Sequence, residues 1–254
     1  MASFFGTITN LFASINPFDT RISTPASRLF ARAAPSTLVL LIGLDESGKS
    51  TLLREYLSPR PESVHTLITE RHIILEELQA GPTTFQAYDI GGCRPDFFWW
   101  FEEGLFKRAD AVIYLVDAAD RDRIMEAREE LIMHGLQANN GGMRRGVPLL
   151  VLATKTELEN ARRPDQIETY FIDNIITSIG DRPTVSLLAQ YEGMGYLTIT
   201  KKVAGVNLTT GKGVLDALSW ISNTLLNGPQ SIVESEKAAL TEKSEILRDS
   251  RRIT

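Results

Sequence analysis

Short apolar runs alternate along this chain with longer stretches of helical period. Thr37–Ile42, Thr84–Ile90, Ala111–Val116 and Val147–Ala153 are rich in Leu, Val, Ile and aromatic residues and have strand length. Lys49–Tyr56, Asp122–Leu136 and Val214–Leu226 carry apolar residues three and four positions apart, the period of a helix with one buried face. Strands that alternate with helices predict an α/β domain: a mostly parallel central sheet with helices on both faces. Asn139–Gly146 contains two Asn, three Gly and two Arg and reads as a loop. Residues 178–206 have no clear period and read as an insertion.

Two flanking regions have a different texture. In residues 1–17, Phe4, Phe5, Ile8, Leu11, Phe12 and Ile15 fall on one face of a helix, with Thr7, Thr9, Asn10 and Ser14 opposite. Residues 18–36 hold Pro25, Pro35 and several Ser and Thr, and read as a linker. After Gly228-Pro229 the chain turns polar and charged, so 229–254 reads as a tail. The predicted domain is 37–228.

Composition narrows the class. A chain of 254 residues suits one α/β domain with tails, and 43% hydrophobic with 23% charged residues is ordinary for a globular protein. The net charge of -5 argues against nucleic-acid binding through a basic surface. The single cysteine, Cys93, excludes an intrachain disulfide. The longest apolar runs, Thr37–Leu44 and Ala111–Val116, fall well short of the roughly 18–20 residues that span a bilayer.

The strongest chemical signal is Gly43-Leu44-Asp45-Glu46-Ser47-Gly48-Lys49-Ser50, which fits G-x-x-x-x-G-K-[ST] between a predicted strand and a predicted helix. Gly43 and Gly48 let the backbone curl so that N–H groups face phosphate oxygens, and the helix N-terminus adds a favourable dipole. Lys49 supplies a cation for the β- and γ-phosphates, and Ser50 a hydroxyl for Mg2+. Asp45, Glu46, Ser47, Gly48, Lys49, Ser50 and Thr51 are the candidate phosphate-binding residues on this loop. About forty residues on, Asp89-Ile90-Gly91-Gly92 ends a strand. A carboxylate there can hold Mg2+ through water, and Gly92 can bring its N–H against a terminal phosphate.

Taken together, these pieces resemble the Arf/Sar family of small GTPases. The resemblance rests on GLDESGKSTLL, on DIGG followed by Trp100, on Val116-Asp117-Ala118-Ala119-Asp120-Arg121-Asp122-Arg123 running on to Glu126–Leu131, and on Glu76-Glu77-Leu78, which is similar to the Sar branch. The pieces run in family order from about Thr37 to Leu226. The resemblance implies a P-loop small-GTPase fold and a membrane-recruited GTP/GDP switch that uses Mg2+. It also implies an exchange factor, an activating protein and effectors, and a peripheral place on endomembranes, Golgi or ER, facing the cytoplasm.

Departures from the family pattern bear on activity. The family's Gln after D-x-G-G, which positions the attacking water, is replaced by Cys93, and a thiol lacks the amide's paired donor and acceptor. Hydrolysis is therefore expected to be slow. The family's N-K-x-D becomes Thr154-Lys155-Thr156-Glu157, in which the carboxylate that pairs with guanine is kept on a longer stem. Leu208 stands where the family has a small residue, followed by Thr209, so Thr154, Lys155, Glu157, Leu208 and Thr209 are the candidate guanine readers. Family spacing back from Asp89 lands on Glu70, so a one-residue insertion makes Thr69 the switch threonine, with Thr66 as the alternative. The candidate metal set is Ser50, Thr69 and Asp89.

Other features carry two readings each. His65, His72 and His134 fit no metal pattern and read as structural or solvated. Phe97, Phe98, Trp99, Trp100 and Phe101 either pack inward in alternation or form a binding surface. The N-terminal apolar face either binds a membrane or packs on the domain. The three arginines of the linker keep a mitochondrial presequence open, although none lies in the helix. Ala2 in place of Gly excludes N-myristoylation. Two rival functions remain: a scaffold that has lost hydrolysis, and an ATP-using P-loop enzyme, which the Asp117–Leu131 stretch argues against.

Overall fold

In the computed structural model of the protein, residues 24–68, 74–89, 105–136, 143–144, 146–173 and 201–227 are described. Seven strands form one sheet: β1 (Thr37–Ile42), β2 (His65–Ile68), β3 (Ile74–Ala80), β4 (Thr83–Asp89), β5 (Ala111–Asp117), β6 (Leu149–Thr154) and β7 (Lys201–Gly205). Their order is β2-β3-β4-β1-β5-β6-β7. The pairings β4·β1, β1·β5, β5·β6 and β6·β7 are parallel, whereas β2·β3 and β3·β4 are antiparallel. The expected mostly parallel sheet with helices on both faces is the observed architecture.

The alternation along each central strand explains the layers. Leu38, Leu40 and Ile42 of β1 join Val112, Tyr114 and Val116 of β5 and Leu149, Val151 and Ala153 of β6 on one face. That face is covered by Leu105 and Phe106 of α3 (Leu105–Arg108), by Ile124 and Ala127 of α4 (Ile124–Glu130) and by Ile167 of α5 (Pro164–Glu168). The alternate residues, including Val39, Leu41, Ile113, Leu115, Leu150 and Leu152, face the other layer. There they meet Leu52, Leu53 and Leu57, which follow α2 (Lys49–Thr51), and Ala217, Leu218 and Ile221 of α6 (Val214–Asn227). Each such side chain contributes about 1.5–3 kcal/mol by leaving water, so a strand buried on both faces is strongly held.

Three helices widen at their C-terminal ends into π-helical turns: α2 into Leu52–Leu57, α4 into Leu131–Leu136 and α5 into Thr169–Asp173. Among the described residues, no helix is long and apolar enough to cross a membrane.

Two expectations change. The described part of the predicted linker 18–36, residues 24–36, is packed on the domain. Thr24 caps a short helix, α1 (Pro25–Arg28), by accepting from the Ser27 N–H at 3.0 Å. Beyond it Phe30 is fully buried, edge-on to Phe85 with ring centres 5.0 Å apart. Ser222 of α6 then donates to the Leu29 carbonyl at 2.6 Å. Likewise, the predicted insertion 178–206 ends in a strand of the sheet, since Lys201–Gly205 pairs in parallel with β6. The predicted N-terminal helix, the five aromatics at 97–101, His72 and the predicted C-terminal tail lie outside the described residues.

Candidate functional site

The sheet builds the site at one edge. Strands β1, β4, β5, β6 and β7 run parallel, so Ile42, Asp89, Asp117, Thr154 and Gly205 all end on the same side. Strand order reverses at β1, whose neighbours are β4 on one side and β5 on the other. In open α/β sheets such a reversal opens a crevice at the strands' carboxyl ends. The loop Gly43–Gly48 leaves β1 into that crevice and enters α2.

The loop's shape depends on its glycines. Gly43 has φ +151°, and a Cβ there would lie 2.2 Å from the backbone oxygen of Leu115, so no side chain fits. Gly48 caps α2 at φ +98°, and a Cβ there would meet Leu208 Cδ1 at 2.7 Å. Glu46, with φ +57°, is a non-glycine residue in the left-handed region. Its side chain is exposed, as is that of Thr51, so both fit a role through backbone N–H only.

Lys49 lies folded across the loop. Only 3% exposed, its Nζ donates to the carbonyl oxygens of Gly43 at 3.0 Å and Leu44 at 2.7 Å. Among the described residues, the buried Ser47 hydroxyl has no hydrogen-bond partner. A buried ammonium folded over the loop, a buried hydroxyl and a backbone curl too tight for a Cβ suit an anion such as phosphate. Ser50 sits half-buried at the start of α2, and Asp89 is the last residue of β4. The β1·β4 register, which pairs Leu41 with Ala87, carries Asp89 toward the start of the loop. Gly92, Cys93 and Thr69 lie outside the described residues. Thr66 is described, and its hydroxyl accepts from Arg54 Nη2 at 3.0 Å.

The expected guanine readers approach the same loop from β6 and β7. Thr154 is fully buried, and its hydroxyl lies 2.9 Å from the Ser47 carbonyl oxygen and 3.2 Å from that of Val116, donating its one hydrogen between them. Lys155 follows at φ +56°, and its Nζ pairs with Asp117 Oδ2 at 2.6 Å. A non-glycine residue in that region is strained and is held there by its surroundings. Glu157 is exposed in the turn beyond. Past β7, Asn207 Oδ1 accepts from the N–H groups of Thr209 at 2.8 Å and Thr210 at 2.9 Å, which shapes the loop carrying Leu208 and Thr209. Tyr56 donates from its hydroxyl to the Leu208 carbonyl at 2.6 Å. The chain therefore brings Ser47, Gly48, Thr154 and Leu208 together, and leaves Glu157 at the rim.

Sequence reasoning missed three partners. Asp117 orients Lys155 and accepts from the Ala119 N–H at 2.9 Å. Tyr56 ties the helix after the phosphate loop to the Leu208 loop. Arg123 reaches Asp45 at 2.6 Å from 78 positions away. Asp117 and Arg123 lie in the Val116–Leu131 stretch that carried part of the resemblance, which was the signal that could have marked them.

Comparison with known proteins decides the family. The sequence model of the ADP-ribosylation factor family matches residues 26–225, well over half of the chain. The chain belongs to that family. It is 34% identical over 145 residues to ADP-ribosylation factor-like protein 3 of Chlamydomonas reinhardtii, covering 57% of this chain and 75% of that protein. It is 28% identical over 141 residues to ADP-ribosylation factor-like protein 6 of Caenorhabditis elegans, covering 56% of this chain and 72% of that one. The protein is thus an Arf-like small GTPase, a guanine-nucleotide switch by family. The match begins within α1, in keeping with the packing of Ala26 and Phe30 against the core.

Proposed function

We propose that this Arf-like protein is a slow, partner-dependent GTP switch that is recruited to a membrane surface and acts in vesicle or membrane traffic. The observation that carries the nucleotide part is Lys49, buried across the carbonyls of Gly43 and Leu44 at the carboxyl ends of the parallel strands. In this reading the backbone N–H groups of residues 45–51 and the Lys49 ammonium hold the phosphates, joined by the N–H of Gly92. The Ser50 hydroxyl and the Asp89 carboxylate hold Mg2+, with Thr69 added in the triphosphate state. The metal, when bound, offsets the charge of the phosphates. Lys155 and Glu157 read the base, while Thr154 holds the base loop against the phosphate loop. Leu208 and Thr209 offer backbone N–H groups to the base.

Cys93 stands at the place of the family's glutamine and supplies no amide to orient water, so an activating protein completes the site. An exchange factor reopens it. The apolar face Phe4, Phe5, Ile8, Leu11, Phe12 and Ile15 supplies membrane affinity by burial, since that helix carries no Lys or Arg. The protein works in the cytoplasm, on the surface of Golgi or ER membranes.

The test is to denature the purified protein and identify the released nucleotide by chromatography. GDP or GTP is the expected result, with Lys49→Ala emerging empty. An empty wild-type site would favour the scaffold, and ATP or ADP would favour an adenine-nucleotide enzyme. Liposome flotation tests the membrane part: full-length protein loaded with a non-hydrolysable GTP analogue should float, and a chain starting at Pro35 should not.

A further inference from the structure

Arg123 stands just before α4 with its planar guanidinium between two carboxylates. Its Nε donates to Asp120, in its own turn, at 2.5 Å. Its Nη1 donates to Asp45, on the phosphate loop, at 2.6 Å. Both carboxylates, with Leu44, Ser47 and Asp117, line a shallow crevice behind that loop. The arginine and Asp45 are each about one-third exposed, 35% and 36%, so the contact lies at the rim rather than in the core.

The contact matters because of where Asp45 sits. It directly follows Leu44, whose carbonyl accepts from the Lys49 ammonium at 2.7 Å. The Asp45 carboxylate is thus carried by the same loop as the ammonium, within electrostatic range of an anion held there. Left uncompensated, it would repel that anion, and more strongly the more charge the ligand brings. A nucleoside triphosphate carries about one more negative charge than the diphosphate, its γ-phosphate being largely doubly ionised near neutral pH. A cation on Asp45 therefore affects the two ligands unequally. The second carboxylate, Asp120, fixes the guanidinium from behind, so the fork stays aimed at the loop.

We propose that Arg123 is a positioning residue that neutralises the Asp45 carboxylate at the rim of the phosphate loop and thereby sets the preference for nucleoside triphosphate over diphosphate. The inference rests on the nucleotide reading above.

The experiment measures dissociation constants for fluorescent GDP and for a fluorescent non-hydrolysable GTP analogue on the full chain, in wild type, R123A, R123K and D45N/R123A. R123A should weaken the GTP analogue about fivefold to tenfold more than GDP, the size expected for one unit charge at the edge of a solvated site. R123K keeps the charge without the two-pronged geometry and should fall between. D45N/R123A should recover the ratio, because the charge that Arg123 opposes is gone. Equal weakening of both ligands by R123A would overturn the proposal, as would a double variant that keeps the R123A ratio. If R123A does not fold, R123K and the double variant carry the same comparison. A wild-type protein that binds neither nucleotide removes the nucleotide reading itself, and this inference with it.

Discussion

The Thr154 hydroxyl donates to the Ser47 carbonyl at 2.9 Å, and so joins the end of β6 to the middle of the phosphate loop. Thr154 is fully buried and Ser47 is 1% exposed, so water does not replace this bond readily. Thr154→Val keeps the shape and removes the hydroxyl, which leaves the Ser47 and Val116 carbonyls without that donor. The expected loss of stability is about 1–3 kcal/mol. Bound GDP should also leave faster, because the loop loses a tether. Chemical denaturation and stopped-flow release of fluorescent GDP check the two effects. Thr154→Asn should retain more of both than Val, since an amide can still donate.

The same bond marks what the sequence could and could not reveal. The central strands were legible because Leu38–Ile42 and Ala111–Val116 are almost wholly apolar, as burial on both faces requires. The phosphate loop was legible because its glycines and Lys49 lie within eight consecutive positions. The β2–β3 hairpin was not. Its second strand carries Glu76 and Glu77, both buried, which periodicity reads as solvated. Only the fold supplies their partners: Arg54, which donates to Glu76 at 2.6 Å, and Gln86, which donates to Glu77 at 2.6 Å. Strand β7 opens with Lys201-Lys202 at half-buried positions and has no apolar run to announce it. The Pro- and Ser-rich texture of α1 hid the burial of Phe30. The pairings of Thr154 with Ser47 and Arg123 with Asp45 join segments 107 and 78 positions apart, and no local pattern encodes them.

Two glycines offer a matched comparison of backbone strain. At Gly43 a Cβ would lie 2.2 Å from the Leu115 backbone oxygen, between two buried strands that have no room to move. At Gly81, in the turn between β3 and β4, φ is +61° and nothing lies within 4 Å of the added carbon. Gly81→Ala should cost about 1–2 kcal/mol, the left-handed penalty alone. Gly43→Ala should cost about 3 kcal/mol or more and abolish nucleotide binding. Urea midpoints for the two variants check this, and equal losses would mean that the strands yield where the packing says they do not.

Glu77 gives stability a pH dependence. Burial raises its carboxyl above the ordinary range, while the hydrogen bond from Gln86 and the charges of His65 and Arg108 pull it part of the way back. The folded protein therefore binds this proton more tightly than the unfolded chain does. The stability it gives is full below the ordinary carboxylate range and is lost as pH rises through the raised value. Glu77→Gln keeps an acceptor for Gln86 and carries no charge. It should stabilise the protein near neutral pH by on the order of 1 kcal/mol, a usual size for a buried polar change. That gain should vanish in acid. Thermal melts of both proteins across a pH series measure it. A gain that grows toward acid would reverse the assigned sign.

In the proposed reading, hydrolysis turns on position 93. Cys93 follows Asp89-Ile90-Gly91-Gly92, where the family carries a glutamine that orients the attacking water. A thiol is a weak donor and a weak acceptor, so it cannot hold water and a phosphate oxygen together as an amide does. The same reading leaves binding intact: Lys49 donates to the Gly43 carbonyl, Gly43 and Gly48 have positive φ, and the Thr154 hydroxyl bonds the Ser47 carbonyl. Binding and hydrolysis should therefore separate. Cys93→Gln is expected to leave the affinity for GDP within about twofold of wild type, because the residue does not contact the diphosphate in this reading. It should raise the single-turnover rate of GTP hydrolysis by at least about tenfold, a modest share of what a positioned proton-transfer or water-orienting group contributes. Cys93→Ala serves as the comparison. If the thiol contributes nothing to the chemistry, Ala and Cys hydrolyse alike and only Gln gains. A Cys93→Gln protein that binds GTP yet hydrolyses it no faster would move the defect away from position 93, to the switch threonine expected at Thr69.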